Sequence, residues 1–347
     1  MKSFLYLVAF LALGGVMTSV PSIAAAGPGA PYENAERLSA FGERPAFSPD
    51  GSRVAFVGKS YGDAYEIDLA TGDVRNLTGA FPHQGFLRVH YLRNGDYLLI
   101  GPRRNIGPMS RVKVDLYVLD RGLRRGLQPL DQSVYEGVAI GPHNEIAWQQ
   151  IPDGSALRKD DTWMQAVRRH PLETYIGRIE YRDGMPRLTG KRRIRDPGPD
   201  GCRGEVQDFR RNGAELLHTC GGDDDIGHFM GIFGDDLATG AVTAFHKARG
   251  KEYAEVEGIS PDGRWAAVEC GQRKGDELVP VLDICRLELT PNGKLSPLIT
   301  ATAPGSTRKV SNPVVSPDGK MIAFQSGDSA IGDIGEGDGI YFMRIAD

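Results

Sequence analysis

Three of the close groups of basic residues in this sequence are Arg103 with Arg104, Arg168 with Arg169 and His170, and Arg273 with Lys274. A guanidinium fork grips carboxylates and sulfates through paired, charge-assisted hydrogen bonds, so such groups suit an anionic ligand. Asp223, Asp224 and Asp225, with His228 close behind, form the opposite kind of cluster. Loop carboxylates are oxygen ligands of the kind Ca2+ takes, although EF-hand spacing is not met here. "GKSYG" at 58–62 has the G-x-S-x-G form of a hydrolase nucleophile, which works at a sharp strand-to-helix turn. No phosphate-binding loop or dinucleotide fingerprint falls between a strand and a helix. The four cysteines, Cys202, Cys220, Cys270 and Cys285, lack C-x-x-C spacing and a nearby histidine, which argues against zinc. Loop charges are also ordinarily just solvated. Only the elements that carry these residues decide between the two.

The 347 residues are 40% hydrophobic and 25% charged, enough for a sizeable core. Forty-five glycines and 22 prolines point to a turn-rich, all-β chain. A net charge of −4 is too weak to draw nucleic acid or an anionic membrane surface. Residues 1–26, with one lysine, a short apolar run and small residues up to Ala26, read as a secretory signal. No later segment approaches the apolar length of a membrane span. The expected location is the periplasm or the exterior, and the mature protein is expected to be a soluble monomer. In an oxidising compartment the four cysteines are expected as two disulfides.

"SPDG" recurs at 48–51, 260–263 and 316–319, each time before an apolar run: "SRVAFVG", "RWAAVECG" and "KMIAFQSG". "YLRNGDYLLIG" at 91–101, "IGPHNEIAWQQ" at 140–150 and "FRRNGAELLHTCGG" at 209–222 are looser copies. Glycine, or Asn144 in one copy, supplies the positive φ that such hairpin turns need. The turn residues fall at 51, 95, 144, 213, 263 and 319, at intervals of 44, 49, 69, 50 and 56. Four of these intervals are near the length of one four-stranded propeller blade, so six turns predict six blades. The long interval predicts an insertion at about 152–175 in blade three, its middle a short helix capped by Asp161 or Thr162. A second turn follows in only five units, and the last unit stops at its third strand. "ERLSAF" at 36–41 reads like a fourth strand and is expected to complete that blade, closing the ring.

The repeats "PAFSPDGSRVAF" and "PVVSPDGKMIAF" resemble those of TolB-type, WD40-like propellers of exported bacterial proteins, over about 34–347. The resemblance implies one all-β, six-bladed propeller domain over 27–347. It implies no particular activity, because the repeat specifies fold rather than function. TolB itself carries an α/β domain ahead of its propeller. Residues 27–45 are too few for one, so a place in the Tol system is not implied.

Such blades put the SPDG turns on one face and the variable loops between second and third strands on the other. Function is expected on the variable face. The three basic groups lie there on blades two, three and five, and the acidic loops on blades four and six. The expected role is non-catalytic binding of an envelope protein, peptide or glycan. No cofactor is expected, with calcium at Asp223–Asp225 as the alternative. The competing function is a lyase or hydrolase acting on an anionic glycan in an axial pocket. Five residues before each turn stand Ala46, His90, Ala139, Asp208, Gly258 and Val314. His90 and Asp208 are thus the polar members of an apolar ring, either a ligand site or contacts for channel water. In the same register "GKSYG" joins two strands and is a chance match. Cys202 and Cys220 straddle the first turn of blade four, and Cys270 and Cys285 flank the variable loop of blade five. These are the expected disulfide pairs.

Overall fold

The computed structural model describes Tyr32 and residues 34–107, 109–152, 162–170, 172–194, 196, 202–272, 281–302, 306–328, 330 and 337–345. Residues 1–26, read as the leader, lie outside these, as do 153–161 of the insertion and the pair Arg273 and Lys274. The described strands form six four-stranded antiparallel sheets, the blades of a propeller. Strand β1 is Ala35–Ser39. Blade one holds β2 (Glu43–Phe47), β3 (Arg53–Val57), β4 (Ala64–Asp68) and β5 (Val74–Asn76). Blade two holds β6 (Arg88–Tyr91), β7 (Tyr97–Gly101), β8 (Val114–Leu119) and β9 (Gln128–Val134). Blade three holds β10 (Val138–Ile140), β11 (Glu145–Gln150), β12 (Glu173–Arg182) and β13 (Met185–Arg193). Blade four holds β14 (Arg203–Arg210), β15 (Glu215–Asp224), β16 (Gly227–Asp236) and β17 (Val242–Arg249). Blade five holds β18 (Glu252–Ile259), β19 (Trp265–Gln272), β20 (Val281–Glu288) and β21 (Leu295–Ile299). Blade six holds β22 (Arg308–Val315), β23 (Met321–Asp328) and β24 (Gly339–Arg344), and β1 pairs with β24 as its fourth strand, Ala35 opposite Met343.

The SPDG turns are structural. Ser48 donates its hydroxyl to Asp50 at 2.6 Å, and the same carboxylate takes the Ser52 N–H at 3.0 Å. The Ser48 hydroxyl also accepts the Arg53 N–H at 3.0 Å, which ties the turn to the strand it launches. Ser260 with Asp262, and Ser316 with Asp318, repeat the bond at 2.7 and 2.6 Å. Gly51, Gly263 and Gly319 have φ of +71°, +67° and +74°, a region costly for a residue with a Cβ. The proline has a use too. Pro317 of blade six stands over Gly51 of blade one, Pro261 of blade five over Gly319 of blade six, and Pro142 of blade three over Gly213 of blade four. The motif therefore helps fit the blades together at these three junctions.

Second strands carry the core because both faces are covered. Val54, Ala55, Phe56 and Val57 are fully buried, as are Tyr97, Leu98, Leu99 and Ile100. In the blade-three insertion a helix, α1 (Trp163–Arg169), starts at Thr162, whose side chain accepts the Gln165 N–H in a capping box. Cys202 is bonded to Cys220, with Cα atoms 5.6 Å apart, and Cys270 to Cys285, with Cα atoms 5.9 Å apart. The second bridge ties β19 to β20 within a buried apolar cluster with Val268 and Leu287. Replacing Cys270 and Cys285 together by serine is expected to lower stability by about 2–4 kcal/mol, read as an earlier urea midpoint. An unchanged midpoint would show that sheet pairing alone fixes this loop.

Candidate functional site at the mouth of the channel

Inner strands begin at the variable-loop face, so their first residues ring the channel mouth there. β2 brings Arg44, β6 Arg88, β14 Glu205, β18 Glu255 and Glu257, and β22 Asn312. Glu136 comes from the connection ahead of β10. Arg111 reaches in from a 3-10 turn, Met109–Val112, in the variable loop of blade two. Arg111 Nη2 meets Glu136 at 2.7 Å, and Arg44 Nη1 meets Glu43 Oε2 at 3.0 Å and the Ser60 hydroxyl at 3.0 Å. Arg88 stands between three carboxylates without touching any: Glu136 and Glu205 at 3.9 Å, Glu257 at 4.0 Å. Arg44, Glu136 and Asn312 all have left-handed backbones, with φ of +53°, +53° and +48°. Three non-glycine residues so placed at one mouth are a concentration of backbone strain, which gathers at functional sites.

Electrostatics divides the acids into two kinds. Burial opposes the charge of Glu136, yet Arg111, Arg88 and Arg44 outweigh it and hold its pKa below the usual value. The others go the other way. Burial, reinforced by neighbouring acids, raises Glu255 to about 7 and both Glu257 and Glu269 to about 8, and pushes Glu205 well up. Near neutral pH Glu257 and Glu269 are therefore largely protonated and Glu255 about half so, which lessens the negative charge that faces the arginines. Burial, then Arg88, drops His90 to about 3, so its imidazole is neutral.

Arg44, Arg88, His90, Glu205, Glu257 and Asn312 line a cavity with about 40 Å³ for water-sized occupants. Among the described residues five buried side-chain polar atoms lack a hydrogen-bond partner. Three of them, Arg44 Nε, Arg88 Nε and His90 Nε2, belong to residues lining this one cavity. Beside it, Glu255, Glu257 and Glu269 bring carboxylate oxygens within 4.8 Å of one another, the one grouping among the described residues with metal-ligand spacing.

The residues singled out from the sequence are placed differently. Arg103, 57% exposed, lies 2.9 Å from Asp131 and 3.4 Å from Asp115, and Arg104 is exposed beside it. Arg169 is exposed and His170 half-buried at the end of α1, while the Arg168 side chain and the pair Arg273 and Lys274 lie outside the described residues. In the acidic loop Asp224 is engaged by Arg249 at 2.6 Å and Lys247 at 3.1 Å, and Asp223 lies 3.3 Å from His228. These cations, Arg249 first, depress the Asp224 pKa strongly. Asp225 adds no third ligand to a common centre among the described groups. His90 joins the mouth cavity, whereas Asp208 lines a groove of about 1010 Å³ on the SPDG face, and no hydrogen bond between the two is seen among the described residues. That groove is larger, and its five arginines each have a partner: Arg93 on the Pro142 carbonyl at 2.8 Å, Arg210 on Glu215, Arg211 on Asp236, Arg264 on Asp262, and Arg286 stacked 4.7 Å over Trp265. Ser60 of "GKSYG" is likewise spent, donating to Glu43 at 2.9 Å in a strand-to-strand loop.

The molecule is a six-bladed, all-β propeller with a charged mouth at its variable-loop end. Comparison of the sequence with protein-family models gives no match, and comparison with curated proteins gives none either. Solved structures of similar fold include TolB from Acinetobacter baumannii, at 15% identity over 74% of this chain and 55% of that one, TM-score 0.48. An oligogalacturonate lyase in complex with manganese matches at 13% identity over 90% of this chain and 93% of its own, TM-score 0.55. A calcium-binding protein, regucalcin, from Agrobacterium tumefaciens matches at 12% identity over 90% and 93%, TM-score 0.52. This chain thus spans little more than half of TolB. At these identities the likeness is one of fold, shared by binding proteins and an enzyme alike.

Proposed function

We propose that this protein is an extracytoplasmic binding propeller whose variable-loop face receives an anionic protein, peptide or envelope glycan. The observation that carries this is the convergence of Arg44, Arg88 and Arg111 at the mouth beside a cavity of about 40 Å³. A cleavage site must enclose the bond it breaks, and pockets that hold whole small molecules run to roughly 300–1,000 Å³. A cavity this small anchors a group. The two disulfides support a compartment outside the cytoplasm. Among the described residues no helix is long and apolar enough to cross a membrane.

Affinity purification from envelope extract, run beside a polysaccharide-degradation screen, tests this reading. Retained partner without turnover is the expected result. Turnover of any polysaccharide would replace it with the second reading, a lyase or hydrolase on an anionic glycan. One observation favours that second reading: Glu255, Glu257 and Glu269 are raised to about 7 or 8, within the range of general acids and bases.

Rim charges should tune the encounter. Replacing Arg103 and Arg104 by alanine is expected to weaken capture severalfold at low salt and little at high salt, with the melting temperature unchanged. Binding isotherms of parent and double variant at two salt concentrations measure this. Equal, salt-insensitive affinity would leave both arginines as ordinary solvated residues.

A further inference from the structure

We propose that the channel mouth captures the terminal carboxylate of a peptide, held by Arg88 with Arg44 and His90 beside it. This deepens the binding reading above, on which it rests for the face by which the ligand enters.

Arg88 is the starting point. A buried guanidinium normally spends its donors on carboxylates or carbonyls, since an unmet buried donor is costly. Arg88 has three acids at 3.9–4.0 Å, beyond hydrogen-bond distance, and its Nε has no partner. One of those acids is held elsewhere, and the other two, Glu205 and Glu257, line the cavity beside Arg88. Glu136 is drawn to Arg111 at 2.7 Å, while of the acids beyond the first circle Glu255 accepts from the Tyr253 hydroxyl and Glu269 takes the Asn312 N–H at 2.7 Å. Arg44 repeats the pattern: its Nη1 is engaged by Glu43, and its Nε, on a side chain only 4% exposed, has no partner. His90 Nε2 is the third such atom. Two fixed N–H donors and an imidazole nitrogen around one small space are suited to a group with two oxygens and a negative charge.

Size selects the source of that group. About 40 Å³ admits a carboxylate but excludes a sugar ring. A peptide brings its terminal carboxylate on a slim main chain, and capture of chain ends is an established mode of peptide recognition. A uronate carries its carboxylate on a ring that must stay outside.

The experiment is calorimetric titration of the exported chain, residues 27–347, at constant ionic strength. The probes are N-acetyl-dialanine with a free C-terminal carboxylate, its C-terminal amide, and galacturonic acid. The free acid should bind at least about 10-fold more tightly than the amide or the sugar acid, because charge-assisted forks are the strong ones. Arg88→Lys should weaken the free acid by about 10-fold or more, because an ammonium cannot reproduce the fork. Arg264→Ala, on the opposite face, should leave binding unchanged. Should Arg88→Lys fail to fold, His90→Phe removes both ring nitrogens while keeping a flat aromatic ring, and should weaken the acid severalfold. Acid and amide binding alike, neither binding, or galacturonate binding in place of the peptide would each overturn the inference. A chain that retained a salt-sensitive envelope partner while ignoring the peptide would lose the carboxylate inference alone. Loss of both would remove the binding reading as well.

Discussion

Deleting residues 27–42 is expected to yield a protein that aggregates, or melts well below the parent. The deletion removes β1 and leaves β24 with a row of unpaired N–H and carbonyl groups, a template for pairing with other chains. It also removes Tyr32, which is buried against Phe324 and Tyr341 with ring centroids 5.6 and 5.3 Å away. The Tyr32 hydroxyl lies 2.6 Å from that of Ser326, so its polar end is satisfied as well. Truncating a buried aromatic alone costs about 3–5 kcal/mol, and the lost sheet pairing adds to that. Thermal melts and light scattering of the two proteins measure the effect. A truncated chain as stable and monodisperse as its parent would show that the ring does not depend on this strand.

Asp208→Asn is expected to stabilise the protein at pH 8 and to leave it unchanged at pH 4. Burial raises Asp208 to about 7 from an ordinary 3.8, against the hydrogen bond it accepts from the Phe209 N–H at 2.7 Å. The sign follows from proton counting. Below the unfolded value both states are protonated and the site costs nothing. Between that value and about 7 only the unfolded chain gives up its proton, so stability falls as pH rises. Above about 7 the folded state buries a full charge, and the loss is complete. The shift corresponds to at most about 4 kcal/mol, and the partial exposure of Asp208 to the groove brings the expected gain to about 2–4 kcal/mol. Asparagine keeps the acceptor oxygen without the charge. Urea melts of parent and variant at both pH values decide it, and an equal difference at each would remove the assignment.

The six turns were legible because their chemistry is local. Serine, aspartate and glycine bond within one loop, so the motif survives in the letters, and the cysteines could be paired from their distances to those turns. The mouth was not legible in the same way. Seven residues before the turn glycine stand Arg44 in blade one and Arg88 in blade two, and the same count should have found their partners. In blade six it finds Asn312, but in blades four and five it lands on Val206 and Val256 instead. Irregularities in pairing between Val206 and Asp208 and between Val256 and Gly258 displace Glu205, Glu255 and Glu257 from the count. An extra residue in one strand shifts every position beyond it, and nothing in the sequence marks the bulge. Arg111 was hidden for a different reason. It lies in a variable loop and reaches the axis only because the 3-10 turn folds it inward.

The pairing of Ala35 with Met343 has a consequence in time. β1 precedes every other described strand in the chain, and its partner β24 follows all of them. Every blade between them can settle against its neighbour, but β1 has no partner until β24 is made. Contacts this distant in sequence slow folding, because the intervening chain must be ordered before they return any energy. Through that interval β1 is a strand without a mate, an edge open to pairing with other chains until β24 covers it.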